Sequence, residues 1–209
     1  MLPLETATTF FAAACLLALA PGPDNIFALT QSTLHGSRAG FIITFGLCTG
    51  LIVHTLAVAF GVAAVIQTSA AAFTVLTSIG AAYLLYLAWL AFHARSNSSA
   101  SPSGDELPRR SLYLRGVLMN LSNPKVALFF LAFLPQFADP ARGPMSIQLI
   151  LLGSLFICAT ILVFGGIALL AGTLGQAFLR SSSAQRILNR IAAALFVGLA
   201  VKLIVSARE

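Results

Sequence analysis

The chain has 209 residues, of which 58% are hydrophobic and 9% charged, with twelve Lys and Arg against six Asp and Glu for a formal charge of +6. Roughly a quarter of an ordinary soluble domain is charged, so this composition excludes a water-soluble fold and requires lipid as solvent. The basic excess is spread over loops and forms no dense face, which excludes nucleic acid as the expected partner and makes the excess a topology signal instead.

A membrane-crossing helix takes about 20 mainly apolar residues. Such stretches run, in order, over 7–31, 39–66, 69–92, 116–137, 145–175 and 187–205. The first contains Ala18-Leu19-Ala20, which resembles a signal-peptidase site. No Lys or Arg precedes it and Pro21 follows it, so a retained helix is predicted. Arg38, Arg95, Arg109, Arg110, Arg115, Arg180, Arg186 and Arg190 flank the loops after the first, third and fifth spans, whereas only Arg142, Lys202 and Arg208 lie on the other side. The positive-inside rule then places both termini outside the cytoplasm.

The polar segment 96–111, rich in Ser, reads as a flexible cytoplasmic linker inside one transmembrane domain spanning 1–209. It separates two halves, 1–95 and 112–209, of three spans each. An odd number makes the halves cross the membrane in opposite directions, so the expected fold is all-α, with six transmembrane helices in two inverted halves. Aligning Pro23 with Pro124 sets Asp24 opposite Lys125.

The first span is interrupted by Pro21-Gly22-Pro23, which removes two backbone donors and predicts a break, with a new helical segment from Asp24. In the fourth span Asn123 is a good N-cap and Pro124 suits the first helical position, so a second half-helix is predicted near Lys125. Both half-helix N-termini are expected to offer free N–H groups at membrane depth, an arrangement suited to an anion.

Asp24 is the one carboxylate at membrane depth, and Lys125 the one base well inside a span, Lys202 being close enough to its helix end to snorkel. A lone charge at the bilayer centre costs about 2.5 to 3.5 kcal/mol on insertion scales. Two readings stand: a structural one, in which the two form a salt bridge or Asp24 merely caps its half-helix, and a functional one, in which Asp24 takes a proton or ammonium group while Lys125 holds a carboxylate. His54, in Gly46-x-x-x-Gly50-x-x-x-His54, lies on the face of two glycines that permit close helix approach. It could relay protons or bond a backbone carbonyl. His35 and His93 fall at helix ends and read as solvated or interfacial. Asn120, Asn123 and Gln136 could supply cavity hydrogen bonds or cap helices. Cys15, Cys48 and Cys158 lack ligand or redox spacing and read as packing residues. No catalytic motif, metal-ligand set or cofactor signature is present, so an enzyme is not expected.

Pro-Gly-Pro-Asp at 21–24, the Gly-x-x-x-Gly-x-x-x-His at 46–54, Gly80-Ala81-Ala82-Tyr83-Leu84 and Asn123-Pro124-Lys125 together resemble the LysE/RhtB family of bacterial amino-acid exporters, in order, spacing and total length. The resemblance implies a six-helix cytoplasmic-membrane protein that expels amino acids or close derivatives, such as basic amino acids, threonine, homoserine or homoserine lactone, driven by the proton motive force. The family motifs fall on Pro21, Gly22, Pro23, Asp24, Asn123, Pro124 and Lys125. Gly46, Gly50 and the Gly165-Gly166 region could also support subunit contacts in a homodimer. The alternatives are a thiol-disulfide reductant carrier, which needs one exchanging cysteine per half whereas 116–137 has none, and a channel or structural membrane subunit.

Overall fold

The computed structural model describes residues 2–62, 70–94, 107–171 and 181–206. Most of the linker, together with the predicted span segments 63–66, 69 and 172–175 and the topology markers Arg95, Arg180 and Arg208, lies outside them. Among the described residues every regular element is helical. Four helices are long and apolar enough to cross a membrane, and up to six spans result if each of two bent helix pairs counts as one. Large apolar side chains face outward all around, among them Phe45, Phe60, Trp89, Leu118, Leu162 and Leu169. A soluble monomer would not show water so much apolar surface.

Helix α1, Leu4–Leu19, stops where Pro21 has no N–H to continue it and disfavours helical geometry at Ala20. Gly22 is extended, and α2, Pro23–His35, restarts with proline at its first position. The two axes differ by 67°. Gly36, at a φ of +82° that favours glycine, separates α2 from α3, Ser37–Ala57, which runs on through a π-helical turn at Val58–Val62. Helix α4 is Ala70–His93. Helix α5, Arg109–Leu121, is followed by the short α6, Pro124–Leu128, at a bend of 48°. The chain then passes through a π-helical segment, Phe129–Phe133, and a 3-10 turn, Leu134–Phe137. Helices α7, Met145–Leu170, and α8, Ser182–Ser206, complete the molecule.

Small residues set the closest helix crossings. A Cβ on Gly116 would stand 2.5 Å from the carbonyl oxygen of Ile43 and 3.1 Å from the Cα of Gly46, so α3 and α5 meet backbone to backbone. One turn on, Gly50 leaves the space taken by the side chain of Asn120. Gly153 does the same for Thr55 between α3 and α7, and Gly80 for Ala132 between α4 and the segment after α6. Thr49 and Tyr113 join their hydroxyls at 2.8 Å across the α3–α5 contact.

The core divides into two parts. On the side of the α1 N-terminus six phenyl rings, Phe10, Phe129, Phe130, Phe133, Phe137 and Phe156, interlock, with centroids 5.2 Å apart for Phe10–Phe137, 5.3 Å for Phe129–Phe156 and 4.8 Å for Phe129–Phe133. Lys202, expected to snorkel, places its Nζ 3.6 Å from the centroid of Phe137, a cation–π arrangement at the edge of this cluster. On the other side a smaller group of slighter residues, including Ala18, Ala28, Ala39, Ile43 and Leu47, fills the space between α1, α2 and α3.

Candidate functional site

The two helix breaks lie against each other and are tied crosswise. Asp24, in the first turn of α2, is 4% exposed, and its Oδ2 accepts a 3.3 Å hydrogen bond from Nδ2 of Asn123. Lys125, at the second position of α6, is 7% exposed, and its Nζ donates to the carbonyl oxygens of Ala20 at 3.0 Å and Leu17 at 3.4 Å. Leu17 lies in the last turn of α1 and Ala20 is its C-cap, at the end that carries the negative pole of the helix dipole. Within the first break itself, Asn25 Nδ2 donates to Ala18 O at 2.7 Å and holds the start of α2 to the end of α1. Each break therefore supplies the polar partners the other lacks.

Asp24 and Lys125 form no ion pair: the one salt bridge recorded among the described residues joins Arg142 to Asp139 in a loop. Both charged groups nevertheless flank the same spot, because a Cβ on Gly22 would stand 2.5 Å from Asp24 Oδ1 and 3.4 Å from Lys125 Nζ. They lie within about 6 Å of each other, near enough to attract without touching.

Asn123 earns its place twice. Its Oδ1 accepts from the Lys125 amide at 3.1 Å, the N-cap its sequence suggests, while its Nδ2 holds Asp24. Its carbonyl accepts from Val126 and Ala127. The expectation of free N–H groups at this helix start is thereby corrected, since Pro124 has no amide hydrogen and the next three amides are bonded to Asn123. Lys125 likewise turns toward a helix C-terminus and does not join a half-helix N-terminus in an anion site. Asn123→Ala should remove the cap, worth about 1 kcal/mol, and strip a buried carboxylate oxygen of its partner at about 1 to 3 kcal/mol. Thermal unfolding of the detergent-solubilised protein should register a lower midpoint, and an unchanged midpoint would refute the tie.

A small cavity lies between the breaks, bounded by Asp24, Asn120 and Lys125 and by Thr160 and Phe164 of α7. Its space open to a water's centre is about 10 Å³, room for about one water molecule. Two of its buried acceptors, Asp24 Oδ1 and Asn120 Oδ1, have no hydrogen-bond partner, and neither has Oδ1 of Asn25 beside them. Buried polar atoms without partners are rare and demand a reason. All three are acceptors, so the site suits a guest that brings several N–H donors.

His54 lies outside the cavity wall. Its Nε2 is 3.3 Å from the carbonyl oxygen of Asn120, and its ring lies 5.7 Å from that of Phe130. It thus makes the backbone contact, one of its two expected readings, and braces α3 against the end of α5. Gln136 lies in the 3-10 turn away from the cavity and does not line it. His35, expected to be solvated or interfacial, is half-buried at the end of α2, with its Nε2 buried and without a partner. Asn25, Thr160 and Gln31 were missed from the sequence. Asn25 follows a helix break, where a capping amide is a recognisable signal, and Gln31 falls seven residues after Asp24 on the same helical face. The three cysteines are free, and among the described residues no cluster of His, Cys, Asp or Glu could hold a metal.

Comparison with known proteins gives this geometry its context. Residues 15–207 match the LysE type translocator family. A homoserine/homoserine lactone efflux protein of Salmonella typhi is 33% identical over 194 residues, covering 93% of each chain, and its Salmonella typhimurium counterpart matches equally. An uncharacterized membrane protein of Vibrio cholerae is 33% identical over 185 residues, 88% of this chain and 89% of its own. No solved structure matches. The match over nearly the whole chain and the multi-pass apolar fold agree: this protein belongs to the LysE family of membrane translocators.

Proposed function

We propose that this protein exports an amino acid or close derivative across the bacterial cytoplasmic membrane in exchange for protons, with the cross-tied breaks as its substrate site. The observation that carries the reading is the pair of unpartnered acceptors, Asp24 Oδ1 and Asn120 Oδ1, facing one cavity beside a buried cation. A substrate ammonium supplies the donors those oxygens lack, and a proton on Asp24 is its alternative occupant. Lys125, already bonded to two carbonyls, retains one N–H donor for the carboxylate or lactone carbonyl of the substrate. Recognition that rests on the ammonium accommodates a homoserine lactone as readily as a free amino acid, in keeping with the names of the Salmonella relatives.

In this reading α1 with α2, and α5 with α6, are each one broken span, making six spans in two inverted halves with both termini outside. Helix packing supports it. Counterparts of the repeat pack on each other, α3 on α7 and α4 on α8, while α3 runs along α5 as α7 runs along α1, the exchange a twofold axis in the membrane plane requires. A cavity this small is a closed state, and rocking of the halves must open it to each side in turn.

Counterflow in proteoliposomes with a panel of homoserine, homoserine lactone, threonine and basic amino acids tests transport and substrate together. Uptake of at least one labelled panel member against its gradient is expected, accelerated by an imposed pH gradient. Equilibration without accumulation for every member would leave a channel and overturn the exporter.

A further inference from the structure

The buried face of α2 carries Asp24, Ala28, Gln31 and Ser32, and His35 continues it by one turn. Three polar atoms along this face are buried without a hydrogen-bond partner: Asp24 Oδ1, Gln31 Oε1 and His35 Nε2. Gln31 is 8% exposed, well within the protein. Only the first of these atoms borders the cavity, so the site does not account for the other two. Their spacing of seven and four residues sets them in a file down one side of the helix. Eleven residues at 1.5 Å each extend about 16 Å, half the thickness of a hydrocarbon core of about 30 Å. The file thus reaches from membrane mid-depth to the helix end next to Gly36 and Ser37.

Small residues line α2 directly beside the file, with Ile43, Leu47 and Phe164 behind them. Gly40 leaves room for Ser32 Oγ and lies against Ala168, and Thr33 Oγ1 approaches the carbonyl of Ala171 at 3.5 Å. Ala28, Ala39, Ala168 and Ala171 are all buried there. Small side chains separate with little loss of packing, whereas the interlocked phenyl rings on the opposite side of the cavity do not. A buried glutamine carbonyl oxygen held without a partner costs about 1 to 3 kcal/mol, a penalty removed as soon as water reaches it.

We propose that this face of α2 is the aqueous path between the site and the cytoplasm, opened by separation of α2 from α3 and α7, with Gln31 and His35 as its polar lining. The path goes beyond the site residues and rests on the export reading only for what travels along it. Lipid-facing residues of the same helix, such as Ile26, stay outside it.

The test is thiol accessibility in the full-length protein, in membranes, with Cys15, Cys48 and Cys158 replaced by serine. Single cysteines are introduced by Gln31→Cys, by Ile26→Cys as a lipid-facing reference, and by Ser37→Cys as a marker of the side on which α2 ends. The probe is methanethiosulfonate ethyltrimethylammonium, a membrane-impermeant cation, applied to each face. Because the reactive thiolate forms only where water reaches, Q31C should react at least about tenfold faster than I26C, and only from the face that labels S37C. Reaction of Q31C no faster than I26C, or from the opposite face, overturns the path. If Q31C fails to insert, Ala28→Cys on the same face is read by the same criteria. Labelling requires no substrate, so its failure leaves the export reading standing, whereas labelling as expected with no counterflow of any panel substrate overturns export and leaves the path.

Discussion

Lys125→Met should abolish export and also lower stability, whereas Asp24→Asn should abolish export with little loss of stability. Methionine keeps most of lysine's stem but cannot donate to Ala20 O and Leu17 O, so the end of α1 loses both of these bonds. It also leaves Asp24 at 4% exposure without the cation that faces it. A hydrogen bond from a charged group is worth about 1.5 to 3 kcal/mol, and two are lost here. Asparagine at 24 keeps the shape and the contact with Asn123 while Lys125 retains its two carbonyls, so the breaks stay tied. What disappears is the charge that, in the proposed mechanism, alternates between proton and substrate. Thermal unfolding and pH-driven counterflow separate the two effects. The double variant should recover part of the melting midpoint of Lys125→Met, since the unpaired carboxylate is gone, yet recover no transport. Proton-driven accumulation at the wild-type rate by Asp24→Asn would remove Asp24 from the coupling step.

Gly116→Val should prevent the protein from accumulating folded in the membrane. The Cβ alone would meet the Ile43 carbonyl, the Gly46 Cα and the Leu47 amide at 2.5, 3.1 and 3.2 Å. All three are backbone atoms, so no side chain can rotate away, and α3 and α5 must part along their length. Overpacking by single methylene groups costs about 1 to 3 kcal/mol, and valine brings a whole branched side chain. Gly46→Val should behave alike, because its Cβ points at Tyr113 O and at Gly116. Gly166→Ala is the matched control, with nothing within 4 Å of the added carbon. Membrane yield and monodispersity in detergent read the difference. A normal yield of Gly116→Val would mean that the helices do not cross here.

These two predictions draw on different depths of legibility. The all-helical class, the long apolar spans and the capping role of Asn123 follow from composition and local rules, because proline and asparagine act on their own backbone neighbours. The glycines of α3 were legible as permissive for close approach, but their partners on α5 depend on how two helices cross. Lys125 shows the limit most clearly. Its helix-start position suggests an anion site, whereas a 67° bend elsewhere in the chain brings the carbonyls of Ala20 and Leu17 within its reach. No periodicity encodes that bend. Gln31 was hidden for the opposite reason: one amide in an apolar stretch looks incidental until its burial without a partner is seen.

The phenyl cluster has a consequence for direction. Opening the site away from the cytoplasm, in the proposed orientation, requires wetting rings that now cover one another. Exposing about 150 Å² of aromatic surface, one ring's share, costs close to 4 kcal/mol at about 25 cal/mol per Å², a several-hundredfold bias in population. The side along α2, lined by alanine, serine and glycine with Ile43, Leu47, Leu112 and Phe164 beyond them, carries a smaller penalty. The resting molecule would then wait with its cargo-loading face ready and visit the release state only briefly, so that external substrate meets a shut door. A fold biased in this way behaves as a rectifier, limiting back-flux through the mechanical cost of one conformation instead of through any difference in how the substrate is recognised.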